Sequence, residues 1–225
     1  MDFMDLRLIP LFSELNESEL KSLANTCVRQ TFKKDNMVLI EEEVGSTMFI
    51  ILCGRVKISR ISDEGREVIL SIMVDGDFFG EMAILDGQTR SANAVTLEDT
   101  EMLIIRRENF LQLLHDYPQI AINLLKELAH RLRRSDAQIK SLSLQNALGR
   151  VASTLLRIAD DSGIIKHGIV ELPHLPPQQD LANMAGTSRE TISRVIKSLG
   201  QLGYVKKQGN KLVILDYERF RQDFS

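Results

Sequence analysis

Short apolar runs between residues 31 and 105 recur at near-regular intervals, with turn residues between them. Their composition is typical of β-strands, and Asp63–Gly65 and Asp75–Asp77 are typical of turns. This spacing predicts a barrel, a sandwich or a roll. Upstream, residues 16–29 are predicted to form a short helix that Asn16 caps. The apolar runs are residues 38–40, 48–52, 56–58, 68–72 and 102–105.

The string Phe79–Leu85, followed by Arg90–Ala92, places a carboxylate and a guanidinium close together in sequence, each beside small residues. Gly80 lets the backbone approach a ligand closely. Glu81 can accept a hydrogen bond from a ribose 2′-hydroxyl, and the planar fork of Arg90 suits two phosphate oxygens at once. The segment therefore predicts a site for a cyclic phosphate and its ribose. The alternative is a β-hairpin in which Glu81 and Arg90 form a structural ion pair.

This segment resembles the phosphate-binding cassette of cyclic-nucleotide-binding domains. Gly54, Gly65 and Gly76 strengthen the resemblance, because they fall where that fold turns between strands. Glu42 is a departure, since relatives usually place glycine there, although Gly45 follows nearby. The resemblance implies a β-roll that binds a cyclic nucleotide. Its ligand contacts would be Gly80, Glu81, Met82, Ala83, Arg90, Ser91 and Ala92.

Residues from about 118 to 144 are predicted to form one long helix with an apolar seam. The seam residues follow each other at spacings of 4, 3, 4, 3, 4 and 3, which is the a/d pattern of a two-stranded coiled coil. The pattern predicts a homodimer joined along this helix, and the alternative is an amphipathic helix packed on its own domain. The seam consists of Ala121, Leu125, Leu128, Leu132, Ser135, Ile139 and Leu142.

Ser135 interrupts this seam with a hydroxyl, and Asp136 follows it. A polar seam residue costs stability, so it sets the register or serves another purpose. In the family that the cassette resembles, the two aligned positions reach the nucleotide base, one from each subunit. The resemblance therefore implies Ser135 and Asp136 as further ligand contacts and as a link between the ligand and the dimer axis. A role for Ser135 in register alone is an equal alternative.

Residues 178–199 have the pattern of a helix-turn-helix. Gly186 supplies the turn, where a positive φ is expected, and Ser188 is a candidate cap for the second helix. Apolar residues at helical spacing form the buried face of that helix. Its outer face carries Arg189, Glu190, Ser193, Arg194 and Lys197.

The Ser-Arg-Glu-Thr string with Arg194 closely resembles the recognition helix of the CRP/FNR superfamily of transcription regulators. The resemblance implies that Arg189 and Arg194 donate to guanine edges and that Glu190 accepts from cytosine, pairings that the major groove allows. It also implies a palindromic site with TGTGA-like halves. Pro177 departs from the family, which places a hydroxyl residue there, and Gln178 or Gln179 can replace that contact. The DNA contacts would be Gln178, Gln179, Ser188, Arg189, Glu190, Thr191, Ser193, Arg194 and Lys197, with the lysines of the hairpin at 204–215 as a wing.

Charge is uneven along the chain. From Ala147 onward, 11 Lys and Arg face 8 Asp and Glu, giving +3, whereas the first 146 residues hold 17 and 23, giving −6. A basic C-terminal domain suggests a nucleic-acid partner.

Cys27 and Cys53 are expected to be small core residues, with no Cys/His spacing for a metal. There is no nucleophile–base pair or phosphate loop for catalysis, so an enzyme is not expected.

These observations predict an α+β protein with a β-roll sensor at 1–116, a dimerisation helix at 117–145 and a winged helix-turn-helix at 146–225. The predicted function is a homodimeric DNA-binding transcription regulator under the control of a cyclic nucleotide, with no other cofactor. Family frequency favours cAMP, although Asp136 can accept from adenine or from guanine. The alternatives are a ligand-independent relative, or a sensor of cGMP, cyclic di-GMP or redox state through Cys53. RNA polymerase is a further candidate partner through residues 160–167, and the absence of a signal peptide or membrane span predicts a cytoplasmic location.

Overall fold

The computed structural model of the protein describes residues 4–7, 9–209 and 211–224. The chain divides into two compact units, Met1–Leu132 and Arg133–Ser225. Within the described residues, no helix has the length and apolar content that a bilayer crossing requires. The three-part division at 116 and 145 stays a prediction.

The first unit is built from two four-stranded antiparallel sheets. One has its strands in the order Cys27–Phe32, Thr100–Arg106, Thr47–Cys53 and Phe78–Phe79, and the other in the order Met37–Leu39, Asn93–Thr96, Val56–Ile61 and Glu67–Met73. Helices precede and follow this roll, and the last of them continues from the first unit into the second. The elements are α1 (Met4–Arg7), a 3-10 turn (Pro10–Phe12), α2 (Glu17–Ala24), β1 (Cys27–Phe32), β2 (Met37–Leu39), β3 (Thr47–Cys53), β4 (Val56–Ile61), β5 (Glu67–Met73), β6 (Phe78–Phe79), α3 (Glu81–Asp86), β7 (Asn93–Thr96), β8 (Thr100–Arg106), α4 (Arg107–Asp116) and α5 (Pro118–Leu144).

Strand β3 carries the core of the first unit because both of its faces are buried. Successive side chains of a strand point to opposite faces. Met48 and Ile50 therefore pack with the helices, in a cluster that includes Phe110. Phe49 packs in the second cluster, where its ring stacks on that of Phe79 at a centroid distance of 5.2 Å. The uninterrupted apolar run of this strand follows from this double burial.

The second unit is a winged helix-turn-helix. Its strands form one antiparallel sheet in the order Val205–Gln208, Lys211–Ile214, Ile169–Leu172 and Ile164–Lys166. Asn146 caps the first helix, since its side chain accepts a hydrogen bond from the Gly149 N–H at 3.0 Å. The elements are α6 (Ala147–Ser162), β9 (Ile164–Lys166), β10 (Ile169–Leu172), α7 (Gln178–Ala185), α8 (Arg189–Gln201), β11 (Val205–Gln208), β12 (Lys211–Ile214) and α9 (Tyr217–Phe224). The predicted α+β fold, with its β-roll, long helix and winged helix-turn-helix, is confirmed.

Two predictions about the N-terminal part are wrong. The helix capped by Asn16 ends at Ala24 instead of continuing to residue 29, because Cys27 already pairs with Ile105 of β8. Pairing with a distant strand overrides the local helical pattern. Neither cysteine is a fully buried core residue, since Cys27 is half-buried and Cys53 is exposed at the end of β3.

Candidate functional site

The loop between β6 and α3 places the Gly80–Glu81 pair at the start of a short helix. Gly80 is the N-cap of α3 and adopts a left-handed conformation with φ of 81°. A Cβ at this position would lie 2.8 Å from Nη1 of Arg90 and 3.2 Å from the carbonyl oxygen of Thr47. Glycine is therefore required here both by the backbone conformation and by the closeness of Arg90.

Arg90 is a buried arginine, with 6% of its surface exposed. Its Nη1 donates to the Gly80 carbonyl at 2.8 Å, and its Nη2 donates to the carbonyl oxygen and Oγ1 of Thr47 at 2.7 and 3.2 Å. All three acceptors are neutral. Among the described residues, no carboxylate comes within ion-pair distance of this guanidinium. Burial lowers the pKa of Arg90, and the charge of Glu81 raises it by less, so desolvation of the guanidinium outweighs the attraction of that carboxylate. An anion bound here would supply the missing counter-charge.

Glu81 pairs with Arg131 of α5 and not with Arg90. Its Oε1 lies 3.2 Å from Nη1 of Arg131, and Arg131 also donates to the Phe78 carbonyl at 2.8 Å and to Glu127 at 3.0 Å. The hairpin alternative, with a Glu81–Arg90 ion pair, is therefore not the observed arrangement. Only 4% of Glu81 is exposed, and burial raises the pKa of its carboxyl although the charge of Arg131 lowers it. Arg131 carries no local sequence signal for this role, since it is 50 residues from Glu81 and belongs to no motif.

The remaining predicted residues of the cassette lie around Glu81 and Arg90. Ala83 and Ala92 are buried, whereas Met82 and Ser91 are exposed. The Ser91 hydroxyl lies 3.6 Å from the Met82 sulfur. These residues belong to α3 and to the segment just before β7, so the structure brings the predicted set of Gly80, Glu81, Met82, Ala83, Arg90, Ser91 and Ala92 into one region of the first unit.

Glu42 occupies the position at which the resembling family usually has glycine. It has φ of 69°, in the left-handed region that favours glycine. Its N–H donates to the Arg90 carbonyl at 2.9 Å, and the Arg90 N–H donates to the Glu43 carbonyl at 2.8 Å. The loop before β3 is thus hydrogen-bonded to the backbone of the cassette arginine. A non-glycine residue in this left-handed conformation costs free energy, and here it lies where the loop is hydrogen-bonded to the backbone of Arg90.

Ser135 and Asp136 lie on α5 beyond Leu132, in the second unit. Both are exposed. Their predicted contact with a nucleotide base stays a prediction.

The helix-turn-helix has the predicted turn and cap. Gly186 ends α7 with φ of 58°, and the Ser188 hydroxyl accepts from the Thr191 N–H at 3.2 Å, which caps α8. Ile192, Val195 and Leu199 of α8 are buried. This packing turns the opposite face of α8 toward solvent.

The outer face of α8 carries the predicted DNA contacts Arg189, Glu190, Ser193, Arg194 and Lys197, and all five side chains are exposed. Nη2 of Arg194 donates to the Thr191 hydroxyl at 3.2 Å. The pKa of Glu190 is lowered, mainly because its carboxylate accepts from its own backbone N–H at the start of the helix.

The first turn of α7 lacks the hydroxyl that relatives place there. Pro177 is the N-cap and makes no side-chain capping bond. Gln178 is half-buried, whereas Gln179 is exposed and donates to Asn183 at 3.0 Å. The roles of Gln178, Gln179 and Ser188 at DNA stay predictions.

Known proteins resemble the two halves of this chain separately and the chain as a whole. Residues 29–117 match the family described as the cyclic nucleotide-binding domain, and residues 149–222 match the Crp-like helix-turn-helix domain. A CRP-like cAMP-activated global transcriptional regulator of Mycobacterium tuberculosis is 32% identical over 209 residues, which cover 93% of each chain. The cyclic AMP receptor protein of Thermus thermophilus is 35% identical over 197 residues, covering 88% of each chain.

This chain belongs to the CRP/FNR family of transcription regulators. Among solved structures, the Thermus thermophilus catabolite activator protein matches 95% of this CRP/FNR protein and 97% of its own length, with 31% identity and a TM-score of 0.55. A CooA variant from Carboxydothermus hydrogenoformans shares the fold, with a TM-score of 0.81 at 22% identity over 97% of this chain and 95% of its own.

The family membership gives this CRP/FNR protein its general function. It is a cyclic-nucleotide-binding transcription regulator with a helix-turn-helix DNA-binding domain, and its relatives are regulators and not enzymes. The first matched range includes the whole segment from Gly80 to Ala92, and the second includes α7 and α8. Ser135 and Asp136 lie outside both ranges.

Proposed function

We propose that the protein is a homodimeric transcription regulator that cAMP controls by binding next to Arg90. The observation that carries the proposal is the buried Arg90 guanidinium, which has only neutral acceptors among the described residues. A cyclic phosphate carries one negative charge, so it matches a single uncompensated arginine. Glu81 would accept the ribose 2′-hydroxyl, and the relatives named as cAMP-activated favour adenine as the base.

Dimerisation is proposed through the apolar seam of α5. The stripe beside the seam is already occupied, because Ile120 and Leu124 are buried in the core of the first unit, and the seam residue Leu128 is partly buried against the same core. In contrast, Leu125, Leu132 and Ile139 on the seam are 65, 64 and 62% exposed in the single chain. A monomer with this stripe would keep a large apolar surface in water, and a second copy of the helix would cover it.

Control of DNA binding is proposed to run through the same helix. Ser135 and Asp136 would contact the nucleotide base from the seam, so a bound ligand would change how the two helices pack. The dimer would then present two α8 helices to successive major grooves, about 34 Å apart, on a palindromic TGTGA-like site. Arg189, Glu190 and Arg194 would read base edges, while Gln178, Gln179, Ser188, Thr191, Ser193 and Lys197 would complete the contact with DNA.

The proposal also includes a contact with RNA polymerase and a cellular location. The exposed Ile164 and Ile165 of β9 lie within the segment 160–167, which we propose as a contact with RNA polymerase. A regulator that binds promoter DNA works where the DNA is, which for a bacterial-type protein is the cytoplasm.

A ligand-independent regulator is the second candidate, and one observation favours it. Three hydrogen bonds from groups of the chain itself, at Gly80 and Thr47, already fix the direction of the Arg90 guanidinium. A redox sensor has less support, because burial raises the pKa of Cys27 to about 11 and leaves its thiol protonated and unreactive at neutral pH. A redox response would therefore have to depend on the exposed Cys53 alone.

The test is isothermal titration calorimetry of the ligand-stripped, full-length protein with cAMP, cGMP and cyclic di-GMP in parallel. We expect saturable binding of cAMP at about one molecule per subunit, because each subunit carries one Arg90, together with tighter binding to a TGTGA palindrome. Binding of cGMP or cyclic di-GMP alone would change the ligand assignment. No heat from any nucleotide would leave the ligand-independent candidate.

Sedimentation of wild type and Leu132→Asp tests the dimer, because a charge in the seam should produce monomers.

A further inference from the structure

The turn before β3 and the first residue of β3 surround the Arg90 guanidinium. Gly45 does not have the positive φ that would require glycine for conformational reasons. A Cβ on Gly45 would lie 2.5 Å from both Cζ and Nε of Arg90 and 2.8 Å from the Ala83 Cβ. These distances are well inside van der Waals contact. The space that a side chain at residue 45 would take is therefore occupied by the guanidinium.

Thr47 holds the guanidinium from the other end. Its carbonyl oxygen and its Oγ1 accept hydrogen bonds from Nη2 at 2.7 and 3.2 Å, and the Gly80 carbonyl accepts from Nη1 at 2.8 Å. These bonds use both N–H groups of Nη2 and one of Nη1. Within the described part of the chain, the Nε–H and the second Nη1–H of Arg90 are left as donors for a ligand.

We infer that Gly45 and Thr47 are positioning residues of the anion site, which decide where the Arg90 charge lies and which of its N–H groups meet the phosphate. The inference rests on the proposed function, in which Arg90 binds the cyclic phosphate. Gly45 acts by leaving space for the guanidinium, whereas Thr47 acts by orienting it. Neither residue needs to touch the ligand, because both act through Arg90.

Calorimetric titrations of the full-length protein with cAMP and cGMP test the inference. Gly45→Ala should weaken binding by about tenfold or more, because its methyl group displaces a charged donor that makes hydrogen bonds. Thr47→Val should weaken binding by about threefold to tenfold, and Thr47→Ser, which keeps the hydroxyl, should restore it to within about twofold of wild type. Thr31→Val, an exposed strand position of the same roll, is the matched control and should bind as wild type does.

A double-mutant cycle on the ligand-free protein provides a readout that does not depend on nucleotide. Gly45→Ala should lower the Tm of wild type, and in an Arg90→Ala background it should cost about half as much or less, because the guanidinium that it displaces is absent. Equal losses in both backgrounds would overturn the inference. So would wild-type affinity in both Gly45→Ala and Thr47→Val. If wild type binds no nucleotide, the proposed function fails, while this cycle still decides whether Gly45 acts on Arg90.

Discussion

The two arginine-bearing regions of this protein differ in how their charges meet water. Arg90 in the roll is buried, and the backbone of Gly80 and Thr47 fixes its direction. Arg189 and Arg194 at the start of α8 are exposed. The first region presents one charge in one geometry, while the second presents several charges on a solvated helix face.

This contrast shows two physical ways of using the same side chain. A buried charge without a counterion costs folding free energy, and an anion that reaches it gains an interaction that solvent hardly screens. Exposed charges cost little to fold and adjust to a large partner, but salt screens them strongly. The roll is therefore suited to one small anion, and α8 is suited to long, variable DNA.

Arg90→Ala should cause the largest loss of nucleotide affinity. Removing the partner of a desolvated charge costs about 2–5 kcal/mol, so nucleotide affinity should fall roughly 30-fold or more. Arg90→Lys should recover only part of it, because an ammonium group lacks the planar fork. Calorimetry measures the affinities, with Arg66→Ala at an exposed turn as control. Unchanged affinity of Arg90→Ala would mean that the anion site lies elsewhere.

Arg189→Ala should weaken binding to the palindrome by about 1–3 kcal/mol and relax the preference at one base pair. Fluorescence anisotropy with half-site variants measures both effects, and Arg221→Ala on the exposed face of α9 is the control. An intact base preference would remove Arg189 from the residues that read DNA. Nucleotide affinity should be unaffected, which keeps the two regions separable.

Glu81→Gln should change stability and binding in opposite directions. Because burial raises the folded-state pKa of Glu81 above its ordinary 4.5, the folded protein binds this proton more tightly than the unfolded chain does. The contribution of Glu81 to stability therefore improves as the pH falls through the folded-state pKa, and glutamine should abolish that dependence.

The same substitution removes a charged acceptor for the ribose. Nucleotide affinity should drop about tenfold, the value of one hydrogen bond to a charged group. Thermal unfolding of the ligand-free protein at several pH values and calorimetry with cAMP measure the two effects. Lower stability of Glu81→Gln near pH 7 would show that the pair with Arg131 outweighs the burial of the carboxylate.

The smallest effect per residue is expected in the salt dependence of binding, which should differ between DNA and nucleotide. Raising salt from about 50 to 200 mM should reduce DNA affinity steeply but nucleotide affinity only slightly. Lys206→Gln and Lys207→Gln on the exposed wing should each reduce the salt slope of DNA binding by about 0.9 if each contacts one phosphate. Lys33→Gln in the roll, whose ammonium pairs with Asp99, is the control. A wild-type slope in both wing variants would exclude these lysines from the DNA contact.

Local sequence signals predicted much of the architecture. The long helix runs from Pro118 to Leu144 as the seam predicts, and the caps at Asn146 and Ser188 are observed. These features depend on side chains within a few residues of one another, so they can be recognised without a fold. Strand β1 was missed because most of its residues are exposed, and its pairing partner β8 is distant in the chain.

Periodicity, helix caps and short motifs were sufficient to predict the fold class, the helix-turn-helix and the residue types of the anion site. Only the tertiary structure decided that Glu81 pairs with Arg131 and that Arg90 lies between Gly45, Gly80 and Thr47. Those contacts join residues from 10 to 50 positions apart. Their energies depend on burial, which raises the pKa of Glu81 and lowers the pKa of Arg90, and no local pattern encodes burial of that kind.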